Sequence, residues 1–194
     1  PNALGADRTR LNGLTAQYLG DTLTQRRFTD FQLHPKLQRF FDIVSRECAL
    51  PPLGPVSDAG RLQRLSALSS VDSALPGLEV INAPRFVKHR FRQLRDRKYL
   101  SMTFYPFTEP DALITDVNQK IEVFVRIVKP MRFGVIIGER IETPVDPVEL
   151  YREIARLLRA EGVGYIEVIN DAADAEGLEC ILQAGFLPCA YFPC

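Results

Sequence analysis

Tryptophan is absent from this chain, and histidine and methionine occur only twice each. The aromatic residues are twelve phenylalanines and six tyrosines, a set that fits core packing better than a platform on which bases stack. The four cysteines, Cys48, Cys180, Cys189 and Cys194, show no metal-ligand spacing. With only His34 and His89 beside them, no metal site is expected. Reduced, structural cysteines in a cytoplasmic protein are the expectation. No apolar run approaches the roughly 20 residues that span a bilayer, and no signal-like start is present, although the chain begins at Pro1. A Walker loop and a dinucleotide G-x-G-x-x-G fingerprint are both missing. Neither histidine has a serine, cysteine or carboxylate partner close in sequence, so no triad can be assembled on either.

What the sequence does contain is a globular composition. Of 194 residues, 46% are hydrophobic and 25% charged, enough to bury a full core as one domain, or one domain with an extension. The net charge is zero but unevenly spread. Residues 1–100 carry 16 basic and 9 acidic side chains, a balance of +7, and residues 101–194 carry 8 and 15, a balance of −7. Such asymmetry suits either an anionic partner for the first half or two halves that attract each other, and the second reading is preferred.

The pattern divides the chain near residue 76. Residues 1–76 read as a helical N-terminal region: a hint of helix over residues 11–20, a clearer one behind Pro35 with Leu37, Phe40, Phe41 and Val44 at helical spacing, and another from Ser57 to about Leu75. Residues 77–194 alternate strand and helix. Leu78 to Ile81 is a strand candidate. The basic run Arg85 to Lys98 places Val87, Phe91 and Leu94 on one stripe of a helix. Tyr99 to Phe107, Lys120 to Val128 and Arg132 to Arg140 read as strands, the last two close enough to form a hairpin. Asp146, Pro147 and Glu149 open a helix, with Leu150, Tyr151, Ile154, Leu157 and Leu158 on its apolar stripe and Gly162 as its stop. A strand from Val163 to Ile169, a helix from Asp174 to Ala184 and a last strand from Pro188 to Phe192 close the chain. The expected class is α/β (α+β), with a right-handed crossover making the strands either side of the first of these helices parallel neighbours.

This order, with Gly185-Phe186 following a helix, resembles the GNAT superfamily of acyl-CoA-dependent N-acyltransferases over residues 77–194. The resemblance implies a mixed sheet flanked by helices, acetyl-CoA or another acyl-CoA as cofactor, and a small-molecule or peptide amine as acceptor. It implies a bulged fourth strand that splays from the fifth, with Gly138 or Gly134 suited to the bulge, and a backbone N–H of that strand facing the oxyanion. Ile137, Gly138, Val145, Asp146 and Val148 then stand where the carrier would bind, and Glu139 and Tyr191 where catalysis would take place. Glu167 is a second carboxylate in reach of the base position.

Two departures accompany the likeness. The family's Gln/Arg-x-x-Gly-x-Gly/Ala loop falls on Glu142, Val145 and Pro147, none of which matches. Glu142 is an acid where a phosphate would lie, Pro147 lacks an N–H, and Asp146 competes for the remaining amide donors. The family's tyrosine acid falls on Ile181. A module that kept the fold but lost its carrier, binding a partner protein or regulating a further domain, is therefore the alternative. The basic run is read as a solvated helix face pairing with the acidic half, which argues against nucleic acid.

Overall fold

A computed structural model of the chain describes residues 33–48, 74–97, 99–102, 108–170 and 174–189. The helix hinted at over residues 11–20 lies outside the described residues, as do residues 57–73 of the helix expected from Ser57 to about Leu75, Tyr191, Cys194 and most of the expected last strand; Ala74 and Leu75 are described and carry no helix. Pro188 and Cys189 are described and carry no strand.

The first described element is a 3-10 turn, Pro35–Leu37, that runs into α1 (Gln38–Cys48). After it come β1 (Leu78–Ile81), α2 (Pro84–Asp96), β2 (Ser101–Met102), β3 (Ala112–Asp116), β4 (Ile121–Val128), β5 (Phe133–Ile141), α3 (Pro147–Ala160), β6 (Tyr165–Glu167) and α4 (Ala175–Gln183). The strands form one mixed sheet. Its path is β1, β3, β4, β5, all antiparallel neighbours. Beyond β5 the outer edge is shared: β6 runs parallel to its first residues, and β2 runs antiparallel further along.

β3 was not expected. The sequence placed the second strand at Tyr99 to Phe107, of which only Ser101–Met102 is a described strand, residues 103–107 lying outside the description. The strand that pairs with both β1 and β4 is Ala112–Asp116, in which every residue is buried. A strand covered on both faces shows no alternation, so period-2 reading passes over it.

Each face of the sheet is covered. On one, α2 lays Val87, Phe91 and Leu94 against Leu113, Phe124, Val135 and Ile137, with the Phe91 and Phe124 rings edge to face at 5.3 Å. On the other, α3 lays Leu150, Tyr151, Ile154 and Leu158 against Ala112, Ile114, Val123, Val125 and Ile136. α4 extends this side through Ile181 and presents Leu178 to a smaller cluster of Leu33, Leu37 and Phe41. The segment leading into α1 is thereby packed on α4. Full burial of one such side chain contributes about 1.5–3 kcal/mol, which offsets part of the cost of ordering the segment.

The ends of α3 follow its punctuation. Asp146 Oδ1 accepts from the Val148 amide at 2.8 Å, Pro147 occupies a position where no N–H is required, and Gly162 leaves the helix at φ 86°, a left-handed conformation that suits glycine. Gly185 ends α4 in the same way at φ 99°. Gly134 serves close packing: a Cβ there would lie 3.2 Å from Val163 Cγ1.

Candidate functional site

β4 and β5 pair in regular register from Val128–Phe133 to Val125–Ile136, and then Phe124 faces Gly138. Ile137 is thus an extra residue on β5, a β-bulge. Side chains on a strand alternate between faces, so one extra residue exchanges the faces of everything after it. Before the bulge, Val135 packs on the α2 side and Ile136 on the α3 side. After it, Glu139, opposite Val123, joins the α3 side, and Arg140, opposite Glu122, joins the α2 side.

The exchange sorts the charges. Arg140 Nε donates to Glu122 Oε2 at 2.7 Å, and Arg90 from α2 binds the same carboxylate through Nε at 2.7 Å and Nη2 at 3.0 Å. Arg140 also contacts Glu142 at 2.5 Å and donates to the Gln119 carbonyl. Glu122 is 1% exposed, and two guanidinium partners are what a carboxylate at that depth requires.

Glu139 has a different environment. Its oxygens accept from the Tyr151 hydroxyl at 3.0 Å (Oε2) and 3.3 Å (Oε1), and no cation contacts it among the described residues. Burial pushes its carboxyl above the usual glutamate range, and the Tyr151 hydrogen bond opposes the rise. Burial and then the nearby Glu139 charge raise the Tyr151 phenol, so Tyr151 keeps its proton throughout the neutral range and acts as a donor. Its ring meets Phe186 edge to face at 6.0 Å. Simple alternation from Val135 would turn Glu139 to the α2 side. The bulge overturns that: Glu139 is half-buried against α3.

The outer edge of β5 changes partner beside this pair. Parallel pairing with β6 covers only Phe133–Tyr165, Gly134–Ile166 and Val135–Glu167. Past the bulge, Gly138 faces Met102 and Glu139 faces Ser101. Ile137 is fully buried on the α2 side, and neither of the two glycines is itself the extra residue. Glu167 lies half-buried on β6, on the far side of Val135.

The turn before α3 is occupied by its own side chains. The Val148 amide is taken by Asp146, and Val145 packs on the α3-side core. Glu142 is paired with Arg140 and lies 3.8 Å from Lys120. Ile181, the position of the family's tyrosine acid, is core.

Much of the basic run on α2 is likewise engaged. Arg90 holds Glu122, while Arg92 and Lys88 both hold Glu109, whose carboxyl they keep below its ordinary range. The basic first half and the acidic second half are therefore bound to each other here. Among the described residues, His89 bonds to Gln93 on its own helix. His34, without a partner in sequence, finds one in Glu179 at 2.7 Å.

Among the described residues no cluster of three or more histidine, cysteine or acidic side chains is placed to hold a metal, and no helix is long and apolar enough to cross a membrane. Tyrosine 151 is the residue that sequence reading missed. It was assigned to the core stripe of α3, although a buried phenol requires a partner for its hydroxyl, and that requirement was the available signal. No protein-family model matches this chain, and no curated protein or solved structure matches it either.

Proposed function

We propose that residues 77–194 form a GNAT-like domain that transfers an acyl group from a carrier thioester to an amine, with Glu139 as the proton acceptor. The observation that carries this reading is the bulge at Ile137, which sets a half-buried carboxylate, with no cation against it among the described residues, on the stretch of β5 beyond its pairing with β6. A carboxylate whose proton affinity is raised by burial is a better base than an exposed one. In the proposed step the amine nitrogen attacks the thioester carbonyl carbon, Glu139 takes the ammonium proton, the carbon–sulfur bond breaks with its electron pair going to sulfur as the thiolate, and Glu139 returns the proton to that sulfur to release the thiol. The order of β1, α2, β3, β4, β5, α3, β6 and α4, with β5 and β6 parallel, supports the same reading.

Two observations favour a second reading, a module of the same architecture that no longer binds the carrier. Asp146 fills the amide position that a pyrophosphate would use, and Ser101–Met102 lies along β5 beside Glu139. Calorimetric titration with acetyl-CoA and with CoA separates the two. Binding, with release of free thiol when a primary amine is added, supports transfer. No heat with millimolar ligand removes transfer and leaves the module. Fold alone does not choose between them.

A further inference from the structure

We propose that Tyr151 is the positioning residue of Glu139, its hydroxyl fixing the carboxylate at the bulge so that one oxygen remains directed to the amine. The inference rests on the transfer reading for its catalytic meaning, but its physical content is independent of it.

The geometry is specific. Glu139 reaches the α3 side only because Ile137 is an extra residue, and the hydroxyl that meets it stands on the second turn of α3. Tyr151 is 7% exposed, with its ring held by Phe186, so the donor is fixed by packing on both sides of its hydroxyl bond. The phenol donates a single proton. Oε2, at 3.0 Å, is the nearer acceptor, and Oε1, at 3.3 Å, keeps lone-pair capacity for a second donor. The raised phenol confines Tyr151 to donation at neutral pH, so it can orient and stabilise the carboxylate but cannot serve as the base itself. The ionisable groups that reach this pair from the packed elements are few. Asp174, at the start of α4, and Cys180, within it, both act on Tyr151, while Arg140, next to Glu139 along the strand, is turned to Glu122 on the opposite face.

The test is a titration of the Glu139 side-chain carboxyl carbon by NMR in the wild-type chain and in Tyr151→Phe, with Glu139→Gln identifying the signal by its loss. Phenylalanine keeps the ring against Phe186 and removes only the donor. The expected result is a midpoint displaced to higher pH in Tyr151→Phe, because the bond that favours the charged form is gone. If the chain transfers acyl groups, the acid limb of kcat/KM is displaced in the same direction and by the same amount, a response that a purely packing role would not produce. A midpoint that stays in place or falls overturns the proposal. A displaced midpoint in a chain that transfers nothing upholds the Tyr151–Glu139 coupling and removes only the transfer reading.

Discussion

His34 Nε2 and Glu179 Oε2 stand 2.7 Å apart across 145 residues of chain. The Lys36 amide donates to His34 Nδ1 at 3.2 Å, which leaves the ring proton on Nε2 for Glu179. This bond and the contact of Leu33, Leu37 and Phe41 with Leu178 fasten the segment before α1 to α4. Gln183 and then His34 hold the Glu179 carboxyl below its ordinary value of 4.5. The associated stabilisation is therefore present above the unfolded value and lost as pH falls through the lower folded one. His34→Ala is expected to speed amide exchange in residues 33–48 and α4 while β3 to β5 stay protected, and to cost about 1–3 kcal/mol.

Glu122→Gln removes the charge that two guanidinium groups share. The expected loss is about 3 kcal/mol, near the lower end for a broken buried pair, read as a lower urea midpoint at unchanged slope. Glu122→Met combined with Arg90→Met and Arg140→Met is expected to recover part of that loss, since it removes the buried carboxylate together with both of its guanidinium partners.

Glu139 predicts the opposite pH behaviour to Glu179. Its folded value lies above 4.5, so its contribution is full below the unfolded value and declines as pH rises through the folded one. Glu139→Gln is therefore expected to unfold at a higher temperature than wild type at neutral pH, and the difference should disappear below pH 4.

At the start of α4, Asp174 Oδ1 accepts from the Gly177 amide at 2.9 Å. A Cβ on Gly177 would lie within 2.2 Å of Asp174 Oδ2, so Gly177→Ala must displace the capping carboxylate. The expected cost is about 1 kcal/mol, the value of an N-cap. Thermal melts of Gly177→Ala, Asp174→Ala and the double variant check it, with the double variant little worse than either single one.

The occupied turn before α3 makes a prediction about carriers. With Val148 bound to Asp146 and Glu142 close by, a pyrophosphate gains little from this helix end. If the chain transfers acyl groups, acetyl-pantetheine should then match acetyl-CoA in kcat/KM within a few-fold. A loss of a hundredfold or more on removing the nucleotide would show that the phosphates are gripped elsewhere.

What could be read from the sequence was what short-range chemistry decides. α3 was legible because Asp146, Pro147 and Gly162 mark its ends and its stripe repeats at helical spacing; α2 and α4 followed in the same way. β1 was recovered with its limits at Leu78 and Ile81. β3 was not, because Ala112 to Asp116 is buried on both faces and has no alternating pattern. In β4, Ile121, Val123, Val125 and Ile127 alternate with Glu122 and Phe124, yet the latter two are equally buried, under α2. The Glu139–Tyr151 pair depends on where β5 carries its extra residue, and its partner strand decides that. Ion pairs such as Arg90–Glu122 were expected as an attraction between halves, but their members are fixed only by the folded register.

The bulge makes the two faces of this strand depend on Ile137 standing as an extra residue. Drawing Ile137 into the regular ladder opposite Phe124 would invert every position of β5 that follows it. The guanidinium of Arg140 would then point into the apolar layer beneath α3, and Glu139 would be brought against Glu122, carboxylate facing carboxylate. A one-codon deletion of Ile137, by contrast, would leave Gly138 opposite Phe124 and Glu139 opposite Val123, so each charge would keep its side of the sheet.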